Sequence, residues 1–193
     1  FNISDNNYSV YGWDYGTALK VENCSFGSIY NDTIQLAFSG WSSASGNNSN
    51  WQYNAAGIAI GYSSNINAYD NVLNNINGYT TGILVRDSDS IYVKRNSIEG
   101  TSEYGIYLRN PMSLDLDSNI VKNFTQGIYA APQTSNNLRV RYNQLDTLGQ
   151  LGINIQGDSG VFTDNIISSI VGGNGISING NGGANVSRNK ILG

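Results

Sequence analysis

Two carboxylates among aromatic residues are the first candidates for chemistry. Asp14 ends the run Tyr11-Gly12-Trp13-Asp14, and Asp32 stands in Asn31-Asp32-Thr33-Ile34. A pair of acids across a sugar can serve as acid and base, or as acid and nucleophile, in glycoside hydrolysis. The competing assignment is turn aspartates that bond local backbone N–H groups. The chain has no histidine, which excludes Ser-His-Asp and Cys-His catalysis and any imidazole metal site. Acid–base work must then fall to carboxylates, tyrosine, lysine or arginine. An acidic site suits a neutral glycan, or a uronate if Ca²⁺ bridges the charges. No other cofactor is implied. Trp13, Trp41 and Trp51, with eight of the 13 tyrosines, all precede residue 81. They fit a platform for sugar rings, or a cover for the end of the domain.

A second constellation joins Arg86 and Arg109 to Tyr107 and Tyr129, with Asp87 and Asp89 in the adjoining turn. Two guanidiniums and two rings would suit an acidic sugar chain. A solvated face with Arg–Asp pairing is the alternative.

These residues are positioned by a repeat. Glycine followed by alternating apolar residues recurs at Gly57, Gly82, Gly105, Gly127, Gly152 and Gly175. Asparagine recurs in step at Asn71, Asn96, Asn119, Asn143, Asn165 and Asn189. Both marks have a period of 22–25 residues. Each repeat parses into three short strands, one from the glycine, one ending before the asparagine and one after it. The pattern predicts an all-β, right-handed parallel β-helix of about seven to eight coils with an internal asparagine ladder. The asparagines are expected at tight turns that need left-handed backbone geometry. Counting backwards puts Thr33–Leu36 in the glycine-strand place and Asn23 in the ladder. Residues 39–56 then form either a polar-walled coil or an outward loop. The columns Lys94-Asp117-Arg141 and Tyr92-Asp115-Arg139 read as alternating surface charges that avoid like-charge repulsion.

The repeat resembles the pectate-lyase-type superfamily of right-handed β-helices, over residues 57–193 and more loosely over 1–56. That resemblance implies an extracellular or cell-surface protein with polysaccharide as its partner, whether hydrolase, lyase or epimerase. The superfamily also holds noncatalytic fibre, adhesin and tailspike modules, which is the alternative. The first coils resemble the alginate C5-epimerase catalytic module, with its Tyr-Gly-x-Asp-Pro-His motif. The match makes Tyr11, Asp14 and Asp32 the candidate catalytic residues. Tyr15-Gly16 replaces the Pro-His pair, and Ala56 stands where a further histidine is expected.

Composition sets the outer limits. The 193 residues are read as one domain, irregular over 1–56 and regular over 57–193, belonging to a longer chain or assembly with coils stacked end to end. Charged residues are only 12% and form no basic stripe, which argues against nucleic acid. No apolar run is long enough for a membrane span. The single cysteine, Cys24, is expected as a buried thiol. Seven Asn-x-Ser/Thr sequons, at Asn2, Asn7, Asn23, Asn31, Asn47, Asn123 and Asn185, offer glycosylation sites.

Overall fold

The computed structural model describes residues 1–12, 17–38, 56–78, 80–134, 137–157, 159–180 and 182–193. The described residues form a parallel β-helix with three sheets. The first sheet has seven strands, Leu19–Glu22, Ala56–Gly61, Thr81–Arg86, Tyr104–Arg109, Gln126–Thr134, Leu151–Gly157 and Asn174–Ile178. The second has eight, from Asn2–Ser4, Ser25–Tyr30, Ser64–Tyr69 and Asp89–Lys94 through to Ala184–Ser187. The third also has eight, from Asn7–Gly12 and Thr33–Phe38 to Lys190–Leu192. All pairings between successive coils are parallel, as in Ile83 beside Ile106 and Ile91 beside Leu114.

Alternation decides what is inside. Ile58, Ile83, Ile106, Ile128 and Ile153 stack from the first sheet, Ile66, Ile91, Leu114 and Leu138 from the second, and Leu73, Ile98, Val121 and Leu145 from the third. Each fully buried aliphatic side chain contributes roughly 1.5–3 kcal/mol. The glycine column follows from backbone spacing. A Cβ on Gly127 would lie 2.8 Å from the Gly152 carbonyl oxygen, and one on Gly57 would lie 2.9 Å from that of Gly82. A side chain added at either glycine would press on the backbone of the next coil.

The asparagine ladder is continuous. Asn96 donates both its backbone N–H and its Nδ2 to Oδ1 of Asn119, each at 3.0 Å, while Nδ2 also reaches the Ala68 carbonyl at 3.0 Å. The same pattern runs from Asn71 to Asn189. Left-handed geometry falls on the residue before each ladder position, at Asp70, Arg95, Ser118, Tyr142, Asp164 and Arg188, and not on the asparagine. Asparagine is therefore selected for its paired acceptor and donor.

The first coils differ from the backward count. Asp32 occupies the ladder, accepting from Asn6 and donating its N–H to Asn71. Asn23 is exposed in the other turn, at φ 54°, in line with Tyr62, Asp87 and Asn110. Thr33–Phe38 is a third-sheet strand paired with Val72–Ile76, and the first-sheet strand of that coil is Leu19–Glu22, paired with Ala56–Gly61. Because these neighbours pair directly, no separate coil fits between them. Residues 39–55, where a polar-walled coil or an outward loop is expected, lie outside the described residues. Cys24 is half-buried, its Sγ donating to the Glu22 carbonyl at 3.2 Å, and it heads a short column with Ser63 and Ser88.

Candidate functional site

The structure separates the residues selected from sequence. Asp14, Trp13, Trp41 and Trp51 lie outside the described residues. Tyr11 is in the strand Asn7–Gly12, beside Ala37. Asp32 is fully buried, with Oδ1 taken by Asn6 N (2.9 Å) and Nδ2 (3.0 Å). A carboxylate enclosed in this way does not face an open groove, so the pairing of Asp14 with Asp32 across a sugar is replaced by a ladder role for Asp32.

The Arg/Tyr constellation assembles in the expected register, Arg86 beside Arg109 and Tyr107 beside Tyr129. The tyrosine rings pack at 5.4 Å and are joined by Tyr104, at 5.0 and 4.9 Å. Tyr107 is only 5% exposed, in an apolar cluster with Ala56, Ala59, Leu84 and Ala131 on the outside of the first sheet. Arg86 crosses Gly61, where a Cβ would lie 2.9 Å from its Nε, to pair with Glu22, and its guanidinium lies 5.1 Å from the Tyr62 ring centre. This charge is already matched inside the fold.

An open surface exists instead on the outside of the second sheet. Alternate residues point outward and form two columns. One runs Asn2, Ser28, Asn67, Tyr92, Asp115, Arg139, and the other Ser4, Tyr30, Tyr69, Lys94, Asp117, Arg141. The columns change character along the axis. Past Lys94 they are ionic, with Arg141 reaching Asp115 at 3.0 Å and Asp117 at 3.2 Å. Before it they are amide, hydroxyl and aromatic. Tyr30 and Tyr69 stack at 5.1 Å with their planes 3° apart. Lys94 Nζ sits 4.8 Å from the Tyr92 ring centre.

Two shallow hollows join on this half. The larger, about 420 Å³, is lined by Phe1, Asn2, Phe26, Ser28, Asn65, Asn67 and Tyr92. The smaller, about 140 Å³, is lined by Asn67, Tyr69, Tyr92, Lys94 and Arg95. Asn67 and Tyr92 belong to both, and no carboxylate lines either. Phe26 is 71% exposed and Tyr92 38%. Sequence reasoning placed Tyr92 and Lys94 on this face but assigned them to the charge ladder. The signal for a site was the loss of charge at Ser28, Asn67 and Tyr69.

Ion pairs fix the rim. Arg95 grips Asp70 at 2.8 and 2.7 Å. This hydrogen bond holds the Asp70 carboxyl below its ordinary range, against the burial that would raise it. Glu22 is lowered first by Lys20, with Arg86 adding to it. A lowered folded value means the stabilisation is present above the unfolded carboxylate range and disappears as pH falls through the folded value. Thermal stability should therefore fall below about pH 4. Arg95→Gln should reduce that acid loss modestly, measured as melting temperature at pH 5 against pH 3, because the pair is exposed.

No curated protein and no solved structure compared with the chain matches it. A family model described as "Right handed beta helix region" matches residues 8–149. That stretch covers most of the ladder and the whole of the second-sheet surface from Ser25 to Lys94, and the chain therefore belongs to the right-handed β-helix family.

Proposed function

We propose that this chain binds an extended polysaccharide along the outer face of its second sheet, outside the cytoplasm, as a noncatalytic surface module. The observation that supports it is the joined pair of hollows around Tyr92 and Asn67, with aromatic faces beside amide and hydroxyl groups. Sugars present apolar C–H faces and equatorial hydroxyls, so a site needs both a ring to stack on and side chains that donate and accept. Asn2, Asn65 and Asn67 supply amides, Ser28 a hydroxyl, Phe26 and Tyr92 rings. Successive coils repeat about every 4.8 Å, which suits a repeating ligand laid along the axis. Sequons exposed at Asn7, Asn23, Asn31 and Asn185, none of which lines the hollows, are consistent with a chain that passes through a secretory route.

Affinity electrophoresis in gels holding a neutral glucan, a galactomannan or a polyuronate tests this, with released reducing ends measured in parallel. Retardation by at least one polymer without chain cleavage is expected. Tyr92→Ala should weaken retention roughly 5–30-fold, a loss of about 1–2 kcal/mol for one ring contact. Arg109→Ala should leave it unchanged. Cleavage of any polymer would favour the enzyme reading, and a Tyr92→Ala protein retained as well as the parent would move the site elsewhere.

A further inference from the structure

Asp32 breaks the chemistry of the column it stands in. Its Oδ1 performs the duty of an asparagine Oδ1, receiving both donors of Asn6. Oδ2 therefore takes the position that Nδ2 fills in every other coil. There, Nδ2 donates twice, to Oδ1 of the next ladder residue and to a carbonyl of the preceding coil, as Asn71 does to Asn96 and to Ile29. The corresponding groups around Asp32 are Oδ1 of Asn71 and the carbonyl of Ile3, and both are acceptors. Oδ2 is buried and has no hydrogen-bond partner among the described residues. An ionised carboxylate would place an unpaired negative oxygen against lone pairs inside a fully closed turn, and none of the hydrogen-bond partners of Asp32 is a cation.

We propose that Asp32 is held in the ladder as the neutral carboxylic acid, with a solvent-derived proton on Oδ2. The O–H then replaces one N–H of an amide and donates to Asn71 Oδ1 or to the Ile3 carbonyl. The result is a proton-binding position that ties the first coil to the rest of the helix. It does not depend on the polysaccharide reading. The titratable groups facing it are few. From the preceding coil they are Asp5, exposed in its turn, and Tyr8, whose phenol is pushed up chiefly by burial. Its own coil offers Tyr30, and the following coil Tyr69 and Asp70, the last bound to Arg95.

Infrared difference spectroscopy of protein carrying ¹³C-labelled aspartate tests the proton directly. A protonated-carboxyl C=O band is expected at neutral pH, isotope-shifted and absent from Asp32→Asn. Thermal unfolding gives the second readout. Asp32→Asn restores the amide and should raise the melting temperature at pH 7.5 by about 2–4 °C or more, although the site is fully buried. The proposal is overturned if the parent protein shows no such band at neutral pH. It is equally overturned if Asp32→Asn melts lower than the parent at pH 7.5.

Discussion

Asn119→Ala is expected to be among the most damaging single substitutions in this protein. Asn119 Oδ1 accepts from the backbone and the amide of Asn96, and Nδ2 donates to the Val93 carbonyl at 2.9 Å and to Asn143 Oδ1 at 3.0 Å. Truncation leaves four buried polar groups short of a partner in a site with no solvent access. Asn96 Nδ2 keeps the Ala68 carbonyl and Asn143 Oδ1 keeps the Asn119 N–H, while the Asn96 N–H loses its acceptor, so the loss should be about 1–3 kcal/mol. The damage should remain local, because a solenoid transmits instability mainly to neighbouring coils. Chemical denaturation with fluorescence detection checks the total, and hydrogen exchange checks the locality. Asn185→Ala is the control. That residue is exposed on the strand Ala184–Ser187 and should cost well under 1 kcal/mol. Equal effects of the two would dismiss the ladder as a source of stability.

Gly127→Ala should be nearly as harmful, for a different reason. The added methyl would meet the Gly152 carbonyl oxygen at 2.8 Å and Leu148 Cδ1 at 3.3 Å. A side chain can rotate away, but a carbonyl in a continuous ladder cannot move without bending the sheet. A cost of about 1–3 kcal/mol is expected from overpacking. Gly183→Ala provides the contrast, since nothing lies within 4 Å of its added Cβ. Urea unfolding midpoints of both variants decide it. A Gly127→Ala protein as stable as the parent would mean that the coils are spaced more loosely than the structure shows.

The comparison of these two columns explains how much could be read in advance. From Gly57 onwards the repeat carried its own register, because a glycine clash and an asparagine ladder each demand one residue type at one place. The three-strand coil, the inward residues and the charge columns therefore followed from the sequence. Before Gly57 both marks change. Ala18 takes the glycine place and Asp32 takes the asparagine place. An acid that mimics an amide cannot be told from a catalytic acid by residue type, so Asp32 was read as chemistry when its surroundings make it architecture. The uncharged half of the second-sheet surface was hidden for another reason. Tyr92 and Lys94 stand in columns whose later members form ion pairs, and only the three-dimensional register shows that Ser28, Asn67 and Tyr69 interrupt the charges.

The Arg86 cluster shows the converse. Its register was correct, yet function does not follow from register. Glu22 lies two coils away and reaches Arg86 because Gly61 between them has no side chain. A charge that has found an internal partner has less to offer a ligand than Lys94, whose nearest carboxylate oxygen is 4.0 Å away.

Hydrogen–deuterium exchange with and without the polysaccharide that retards the chain most strongly is the most direct measurement of the binding surface. Ser25–Tyr30, Ser64–Tyr69 and Asp89–Lys94 should exchange more slowly in the presence of polymer, while Thr81–Arg86 and Tyr104–Arg109 should be unchanged. Protection confined to the first-sheet strands, or none on the second sheet, would contradict the account.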